Sequence, residues 1–257
     1  MEVDTDMKVL SWENLATLLA VGCLFLVLIS ALSCSCKPEA DVSSPTDIPS
    51  PTSTPSPPEL DTSLLTDDPC RAPCWNNIIP GVSGEDEVRA QLQDASFVKE
   101  GTLEYELTEE RGIQLGFFYW QARSEHYNRV YLRDGKVLRI QIMIDHDRTL
   151  GEAVDKFGPP EGVFADIYRE SYRVEFYYPT QGIEFESNML PVDRQVYLGD
   201  GKGILQEDMK VTRAIYFAPT SMDGMVSEAY LYSSYDMEGW LANIHEWEGF
   251  GEVELKR

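Results

Sequence analysis

Basic residues are scarce in this sequence. Its 257 residues include 21 Lys and Arg against 44 Asp and Glu, which gives a formal net charge of −23 at pH 7. Proteins bind nucleic acid largely through Lys and Arg side chains that displace counterions from the phosphates, so this balance argues against a nucleic-acid partner. Histidine is scarcer still: the three residues His126, His146 and His245 stand singly. We therefore predict no metal site and no cofactor.

Common motifs of catalysis and phosphate binding are also missing. Gly201-Lys202-Gly203 lacks the spacing of a phosphate-binding loop. Gly81-Val82-Ser83-Gly84 departs by one residue from the nucleophile elbow G-x-S-x-G. No catalytic residue is assigned on these grounds. Apolar residues make up 43% of the chain, which is enough for a folded core.

One long uncharged run lies near the N-terminus. Residues 15–33 read LATLLAVGCLFLVLISALS. This length approaches the roughly 20 apolar residues that span a bilayer, and it also suits a secretory signal. Both interpretations place the remaining chain on the extracytoplasmic side of the cell membrane.

The end of this run resembles the lipobox of bacterial lipoproteins. Ala31-Leu32-Ser33-Cys34 has a small residue before the cysteine, and Ser33-Cys34-Ser35-Cys36 is a second, poorer match. The resemblance implies that residues 1–36 hold a cleaved signal and that Cys34, or alternatively Cys36, carries the lipid that anchors the protein in the bilayer. The alternative is an uncleaved membrane helix.

A polar stretch follows the apolar run. Residues 37–69 are rich in Pro, Ser and Thr, with SSPTDIPSPTSTPSPPEL at the centre. Such a composition buries too little apolar surface to offset the entropy of ordering, so we predict a disordered, semi-rigid linker.

Two of the five cysteines remain for the folded part. Cys70 and Cys74 occur as Cys-Arg-Ala-Pro-Cys. A pair outside the cytoplasm is typical of a disulfide. The spacing is not the C-x-x-C of a thioredoxin-type redox pair.

The sequence predicts an α+β fold of two repeated units, at 70–147 and 148–257, each a short helix followed by an antiparallel β-meander. The first helix is expected at Gly84 to Gln93, with Ser83 as its N-cap and Asp86 as the partner in the capping box. Asp134-Gly135 indicates a tight hairpin between two strands. The strands expected in this unit are Leu103–Leu107, Gly112–Gln121, Tyr127–Leu132 and Val137–Ile144.

The second unit repeats this order and adds a C-terminal extension. Thr149 with Glu152 forms a capping box, and Gly158-Pro159-Pro160 ends the helix. Trp240, Ile244 and Trp247 have helical spacing. The strands expected here are Val163–Tyr168, Ser171–Tyr178, Ile183–Phe185, Gln195–Leu198, Val211–Phe217 and Val226–Tyr232.

Two segments carry a resemblance to a known group of proteins. Pro-Gly-x-Ser-x-x-x-Glu-Val-x-x-x-Leu at Pro80 to Leu92 is followed by a predicted meander, and Leu-Gly-Glu-Ala-Val-Asp-Lys-Phe-Gly-Pro-Pro at Leu150 to Pro160 is similar to a second copy. The pattern resembles the SmpA/OmlA and beta-lactamase-inhibitor-protein-like modules of envelope lipoproteins. This resemblance implies a helical segment packed on an antiparallel sheet, and a role in protein binding rather than catalysis.

Aromatic residues give the best candidates for a partner-binding patch. Phe117-Phe118-Tyr119-Trp120 places aromatic rings on both faces of one strand, and only one face can enter the core. Either a helix of the same protein covers the other face, or that face binds a protein partner at the cell envelope. The candidate patch consists of Phe118 and Trp120, or of Phe117 and Tyr119, together with Tyr127 and Tyr131.

The alternative function is an extracytoplasmic hydrolase. Glu184 and Glu186 alternate with Phe185 and are expected to share a solvent-exposed face, so they could act as an acidic pair. His146 lies between two aspartates in a predicted loop. The preferred hypothesis remains a non-enzymatic binding or scaffold module tethered to the membrane.

Overall fold

A computed structural model describes residues 61, 63–110, 112–122, 126–144, 147–168, 171–189, 197–199, 202–230 and 237–255. The apolar run, Cys34, Cys36, most of the predicted linker and His146 lie outside these residues. Within them, no helix is long and apolar enough to cross a membrane.

The chain forms short helices and eleven strands over the described residues. The helices are α1 (Ser63–Thr66), α2 (Glu85–Gln93), α3 (Leu150–Phe157), α4 (Met222–Tyr230) and α5 (Met237–Leu241), with one 3₁₀ turn at Pro179–Gln181. The strands are β1 (Glu104–Glu110), β2 (Ile113–Gln121), β3 (Tyr127–Arg133), β4 (Lys136–Met143), β5 (Gly162–Tyr168), β6 (Ser171–Tyr178), β7 (Ile183–Met189), β8 (Tyr197–Gly199), β9 (Lys202–Leu205), β10 (Arg213–Phe217) and β11 (Gly251–Glu254).

Eight of these strands make one sheet in the order β1-β2-β3-β4-β10-β7-β6-β5, with every neighbouring pair antiparallel. The β4–β10 pairing, in which Ile142 lies opposite Ala214, joins four strands from the first half of the chain to four from the second. Strands β8, β9 and β11 form a separate small sheet. The predicted α+β class is therefore confirmed.

Local sequence determines where the helices begin and end. The Thr149 hydroxyl accepts a hydrogen bond from the Glu152 amide at 3.2 Å, and the Glu152 carboxylate accepts one from the Thr149 amide at 3.0 Å, so the predicted capping box is confirmed. Gly158 ends α3 at a φ of +83°. The predicted hairpin at Asp134-Gly135 is also confirmed, with φ values of 51° and 75°.

The start of α2 differs from the prediction. Gly84 is the N-cap, and its amide donates to the Glu87 carboxylate at 2.9 Å. The Ser83 hydroxyl instead accepts from the Ile79 amide at 3.0 Å and is buried in the preceding turn. Ser83 and Asp86 were thus the wrong capping pair, because the helix begins one residue later.

Two C-terminal predictions are wrong. The strand expected over 226–232 is replaced by helix α4 up to Tyr230. Met222, Met225 and Val226 have the i, i+3, i+4 spacing of a helical face, and they join one apolar cluster. Helix α5 ends at Leu241, and residue His245 pairs with Val163 as an extended bridge, so the spacing from Trp240 to Trp247 does not reflect one helix.

The last part of the predicted linker, at residues 61 and 63–69, is ordered. The Asp61 carboxylate accepts a hydrogen bond from the Trp75 indole at 2.7 Å, and residues 63–66 form α1. The Lys156 ammonium contacts the Leu64 carbonyl at 2.5 Å and the Asp67 carboxylate at 2.6 Å. These contacts join the segment to distant parts of the chain and offset the entropy lost when it becomes ordered. The composition of the segment alone gives no indication of them.

One face of the large sheet, called here the core face, packs against α2 and α3. Val88 and Leu92 of α2 and Leu150 and Ala153 of α3 are buried in the same cluster as the sheet residues. The sulfur atoms of Cys70 and Cys74 lie at disulfide distance, 2.06 Å, so the predicted disulfide is confirmed. The following Trp75 is buried in that same cluster. The opposite side of the sheet, called the outer face, carries the candidate site.

Candidate functional site

Strand β2 separates its aromatic residues between the two faces of the sheet. Phe118 and Trp120 are 0% exposed and lie on the core face, where Trp75 stacks on Trp120 at a ring distance of 5.6 Å. Phe117 and Tyr119 are half-buried on the outer face. The choice of Phe118 and Trp120 as partner-binding residues is therefore wrong, since the period-two alternation turns both rings into the core.

The outer face of the first half carries a groove of about 390 Å³. Cross-strand register brings its residues together: Phe117 lies opposite Tyr131, and Tyr119 lies opposite Arg129. The groove is lined by Glu106, Phe117, Tyr119, Tyr127, Arg129 and Tyr131. Tyr127 and Tyr131, which the sequence analysis proposed for the patch, thus lie beside Phe117 and Tyr119.

Aromatic rings in the groove are held by one another. Phe117 meets Tyr131 edge to face at 5.4 Å, and Tyr119 meets Tyr127 edge to face at 6.2 Å. Edge-to-face pairs add about 0.5–1.5 kcal/mol beyond the burial of area, so the rings are positioned before any ligand arrives. The groove therefore offers pre-organised aromatic surface with polar tips.

Charge is distributed unevenly along the groove. At the inner end the Arg139 guanidinium stacks over the Tyr131 ring at 4.2 Å, and Arg129 approaches the Tyr131 hydroxyl at 3.5 Å. Burial raises the pKa of Tyr131, but the two positive charges outweigh it, so the net pKa is lowered. At the outer end burial, together with Glu104, raises the pKa of Tyr119. The inner end is thus positive and the end at the sheet edge is negative.

The outer face continues into the second half, where the chain covers it. Ile215 of β10 lies opposite both Gln141 and Glu184, so these side chains share the outer face. Helices α4 and α5 pack here through a second apolar cluster. Its buried members are Phe164, Tyr177, Ile215, Phe217, Met225 and Val226, with Met222, Trp240, Leu241 and Ile244 packed against them.

Three glutamates are buried on this covered part of the outer face. Glu175, Glu184 and Glu186 are 4%, 8% and 6% exposed. The expectation that Glu184 and Glu186 face solvent is therefore wrong: they do share a face, but α4 and α5 are packed over that part of the sheet. Their sequence pattern alone gave no sign of this cover.

Arginine and tyrosine side chains partner most of these buried charges. Glu186 forms an ion pair with Arg213, and Glu175 accepts a hydrogen bond from the Tyr177 hydroxyl. Arg173 lies 3.4 Å from Glu175 and donates two hydrogen bonds to Asp166, at 3.0 and 2.6 Å. Such pairing is what allows charged groups to remain ionised away from water.

Glu184 differs from its neighbours. Burial, and then the negative charge of Glu175, raise the pKa of Glu184 to about 8, although Arg213, Arg139 and Arg173 act in the opposite direction. The side chain is therefore protonated at neutral pH. A neutral acid close to a second carboxyl group is a pattern of acid–base catalysis, but here both groups are buried.

The sequence pattern alone does not single out Arg129, Arg139 or the buried Glu175 as site residues. Arg139 alternates with the apolar residues of β4, so its outward direction was visible, but its stacking on Tyr131 depends on a bulged cross-strand register. Among the described residues, no group of three His, Cys, Asp or Glu side chains is placed to hold a metal ion.

We predict unequal stability losses for Trp120→Ala and Phe117→Ala. Trp120 is fully buried, so its truncation is expected to lower the free energy of unfolding by about 3–5 kcal/mol. Phe117 is half-buried on the outer face, and its truncation is expected to lower it by only about 1 kcal/mol. Urea unfolding of both variants measures this. Equal losses would contradict the assignment of the two faces.

A second prediction concerns pH. Folded protein keeps the Glu184 proton up to about pH 8, whereas the unfolded chain releases it near the ordinary value of 4.5. Between these values Glu184 is protonated in the folded state and ionised in the unfolded chain. The free energy of unfolding therefore falls as pH rises. Glu184→Gln keeps the shape of the neutral acid and removes this contribution. The free energy of unfolding of the variant, relative to that of wild type, is therefore expected to rise as the pH increases from about 4.5 to about 8.

Urea unfolding at stepped pH tests this expectation. The control is Glu207→Gln, because Glu207 is an exposed glutamate, and this variant should follow wild type throughout. A stability difference between Glu184→Gln and wild type that stays constant across the window would contradict the buried, protonated state.

The outer face thus has an open aromatic groove in the first half and a covered ionic cluster in the second. Of these two parts of the outer face, the groove is the one that the described residues leave open to an external molecule. Concave aromatic surface with a few convergent polar groups is typical of a binding site. No family model matches the chain, and the searches of curated proteins and of solved structures found no match either.

Proposed function

We propose that this protein is a membrane-tethered lipoprotein that works on the extracytoplasmic side as a non-enzymatic binding or scaffold module. The observation that carries the proposal is the groove of Phe117, Tyr119, Tyr127 and Tyr131. Tyr and other aromatic residues dominate binding energy at protein interfaces because they bury large rigid surfaces. The corresponding face of the second half is covered by the chain itself.

We also propose that the two halves are copies of one unit, α2 with β1–β4 and α3 with β5, β6, β7 and β10. The strand order is symmetric about the β4–β10 pairing, which supports this relation. In both halves, a glutamate three residues after the N-cap accepts a hydrogen bond from the N-cap amide. The resemblance to SmpA/OmlA or beta-lactamase-inhibitor-protein-like modules belongs to the same proposal and rests on the short motifs at Pro80–Leu92 and Leu150–Pro160.

The two proposed copies would differ in function because helices α4 and α5 cover the outer face of the second copy and leave that of the first copy free to bind a partner. Helices α4 and α5 supply Met225, Val226 and Trp240 against the outer face of the second half. Packing of this kind removes apolar surface from water at about 25 cal/mol per Å². A partner seated in the groove would gain the same kind of contact over the first half, with Phe117 and Tyr119 as anchors.

The anchor of this protein is proposed to be Cys34, with Cys36 as the alternative. The support is the lipobox resemblance and the Pro-rich stretch that follows it. A polyproline II spacer extends about 3.1 Å per residue. Asp61, the first of the described residues, accepts a hydrogen bond from the Trp75 indole. A lipid, a spacer and then a folded part is the layout of an extracytoplasmic lipoprotein.

A hydrolase is the weaker proposal. Its acidic pair, Glu184 and Glu186, is buried, and Glu186 forms an ion pair with Arg213. His146 lies outside the described residues. The groove therefore supports binding better than the buried carboxyl groups support catalysis.

Photo-crosslinking in cells tests the binding proposal. Tyr127→p-benzoylphenylalanine places the probe in the groove at a side chain that is 43% exposed, and Val82→p-benzoylphenylalanine is the control at one that is 61% exposed. We expect a discrete covalent product from position 127 and none from position 82. Adding Phe117→Ala should reduce the yield several-fold, because it removes an anchor. Equal products from both positions, or none from position 127, would overturn the proposal.

The anchor has its own test. Cys34→Ala is expected to abolish lipid labelling and membrane retention of the processed protein, whereas Cys36→Ala should behave as wild type. Metabolic labelling with radioactive palmitate, followed by fractionation, measures both. Labelled Cys34→Ala protein would contradict the assignment of the lipid to Cys34.

A further inference from the structure

The two edge strands of the large sheet, β5 and β1, differ in their backbone pairing. Edge strand β5 is covered by residue His245: the Val163 amide donates to the His245 carbonyl at 2.9 Å, and the His245 amide donates to the Val163 carbonyl at 2.7 Å. Edge strand β1 pairs with β2 on one side, and no described residue pairs with its other side. Its outward N–H and C=O groups therefore form a template for one more strand.

The open edge lies directly beside the groove. Glu106 of β1 lines the groove, and its cross-strand partner Phe117 is one of the groove's rings. Glu104 lies opposite Tyr119 on the same face. A strand added to β1 would thus extend the outer face by one position and place alternate side chains next to the aromatic surface.

The side chains of β1 decide which strand fits. Glu104 and Glu106 are exposed on the outer face, whereas Leu107, which is 55% exposed, and the exposed Glu109 lie on the opposite face. A second copy of β1 would bring like charges together, which is unfavourable between paired strands. A strand with Lys or Arg at alternate positions would instead meet Glu104 and Glu106, and its intervening apolar residues would cover Leu107.

The groove's own arginine does not oppose such a partner. Adjacent strands lie about 4.8 Å apart, so a strand added to β1 would lie about 5 Å from the glutamates and about 14 Å from β3, which carries Arg129. Exposed charges are screened within about 8 Å at physiological ionic strength. Attraction by the near glutamates therefore outweighs repulsion by Arg129. A Lys side chain also reaches toward Phe117 and Tyr119, where cation–π contact is favourable.

We propose that the partner binds by strand addition: an extended basic segment pairs with β1 as a ninth strand, and its cationic side chains lie across Glu104 and Glu106 toward the groove. This inference rests on the proposed binding function and names the class of partner. Backbone hydrogen bonds would supply affinity, and the alternate cationic positions would supply specificity.

A capped synthetic heptapeptide, Lys-Val-Lys-Thr-Lys-Val-Lys, tests the inference by calorimetric titration against the folded protein. Two further peptides carry N-methyl groups on residues 2, 4 and 6, or on residues 3 and 5. Only one set of amides faces β1 in a paired strand. We expect one methylated peptide to bind at least tenfold more weakly, while the other keeps its affinity. Glu104→Gln with Glu106→Gln should weaken binding about tenfold, and Glu207→Gln should not.

Equal affinity of all three peptides would overturn strand addition, because attraction would then be electrostatic only. No binding of the unmethylated peptide would overturn it as well. The peptide titration and the crosslinking experiment can fail independently of each other. If position 127 forms crosslinks but the peptide does not bind, the groove is still supported as a binding site, and a basic strand is excluded as its partner.

Discussion

Side chains on a β-strand alternate strictly between the two faces of a sheet, and the organisation of this protein depends on that constraint. A shift of one residue in the register of β2 would exchange Phe118 and Trp120 with Phe117 and Tyr119. Trp75 holds the register by stacking on Trp120, and Tyr105 holds it by packing on Phe118 at 4.7 Å. The core contacts on one face therefore determine which rings are presented on the other.

The outer face shows how one sheet can be closed in one half and open in the other. Helices α4 and α5 cover the second half, and the glutamates beneath them are retained through Arg173, Arg213 and a protonated Glu184. Burying such charges contributes little net stability, since desolvation offsets much of the attraction. The first half leaves Phe117 and Tyr119 half-buried and Tyr127 and Arg129 exposed, so the same residue types are available to a partner there.

Local signals in the sequence predicted the local structure. Thr149 with Glu152 and Asp134 with Gly135 act within a few residues, so their geometry follows from composition. The faces of β2 did not follow, because aromatic residues at four consecutive positions carry no alternation of polarity. The burial of Glu184 and the helix at Met222–Tyr230 depend on packing between segments distant in sequence, which propensity does not encode. For β2, the sequence therefore left two alternative pairs for the site, and of these Phe118 and Trp120 lie in the core.

Hydroxyl-radical footprinting of the purified protein and of intact cell envelopes tests the central claim most directly, because it reports the solvent contact of individual rings. We predict oxidation of Tyr119 and Tyr127 in the purified protein, protection of both in envelopes, and protection of Trp120 in both samples. Equal oxidation of Tyr119 and Tyr127 in the two samples, or oxidation of Trp120 in the folded protein, would contradict a partner-occupied groove on the outer face.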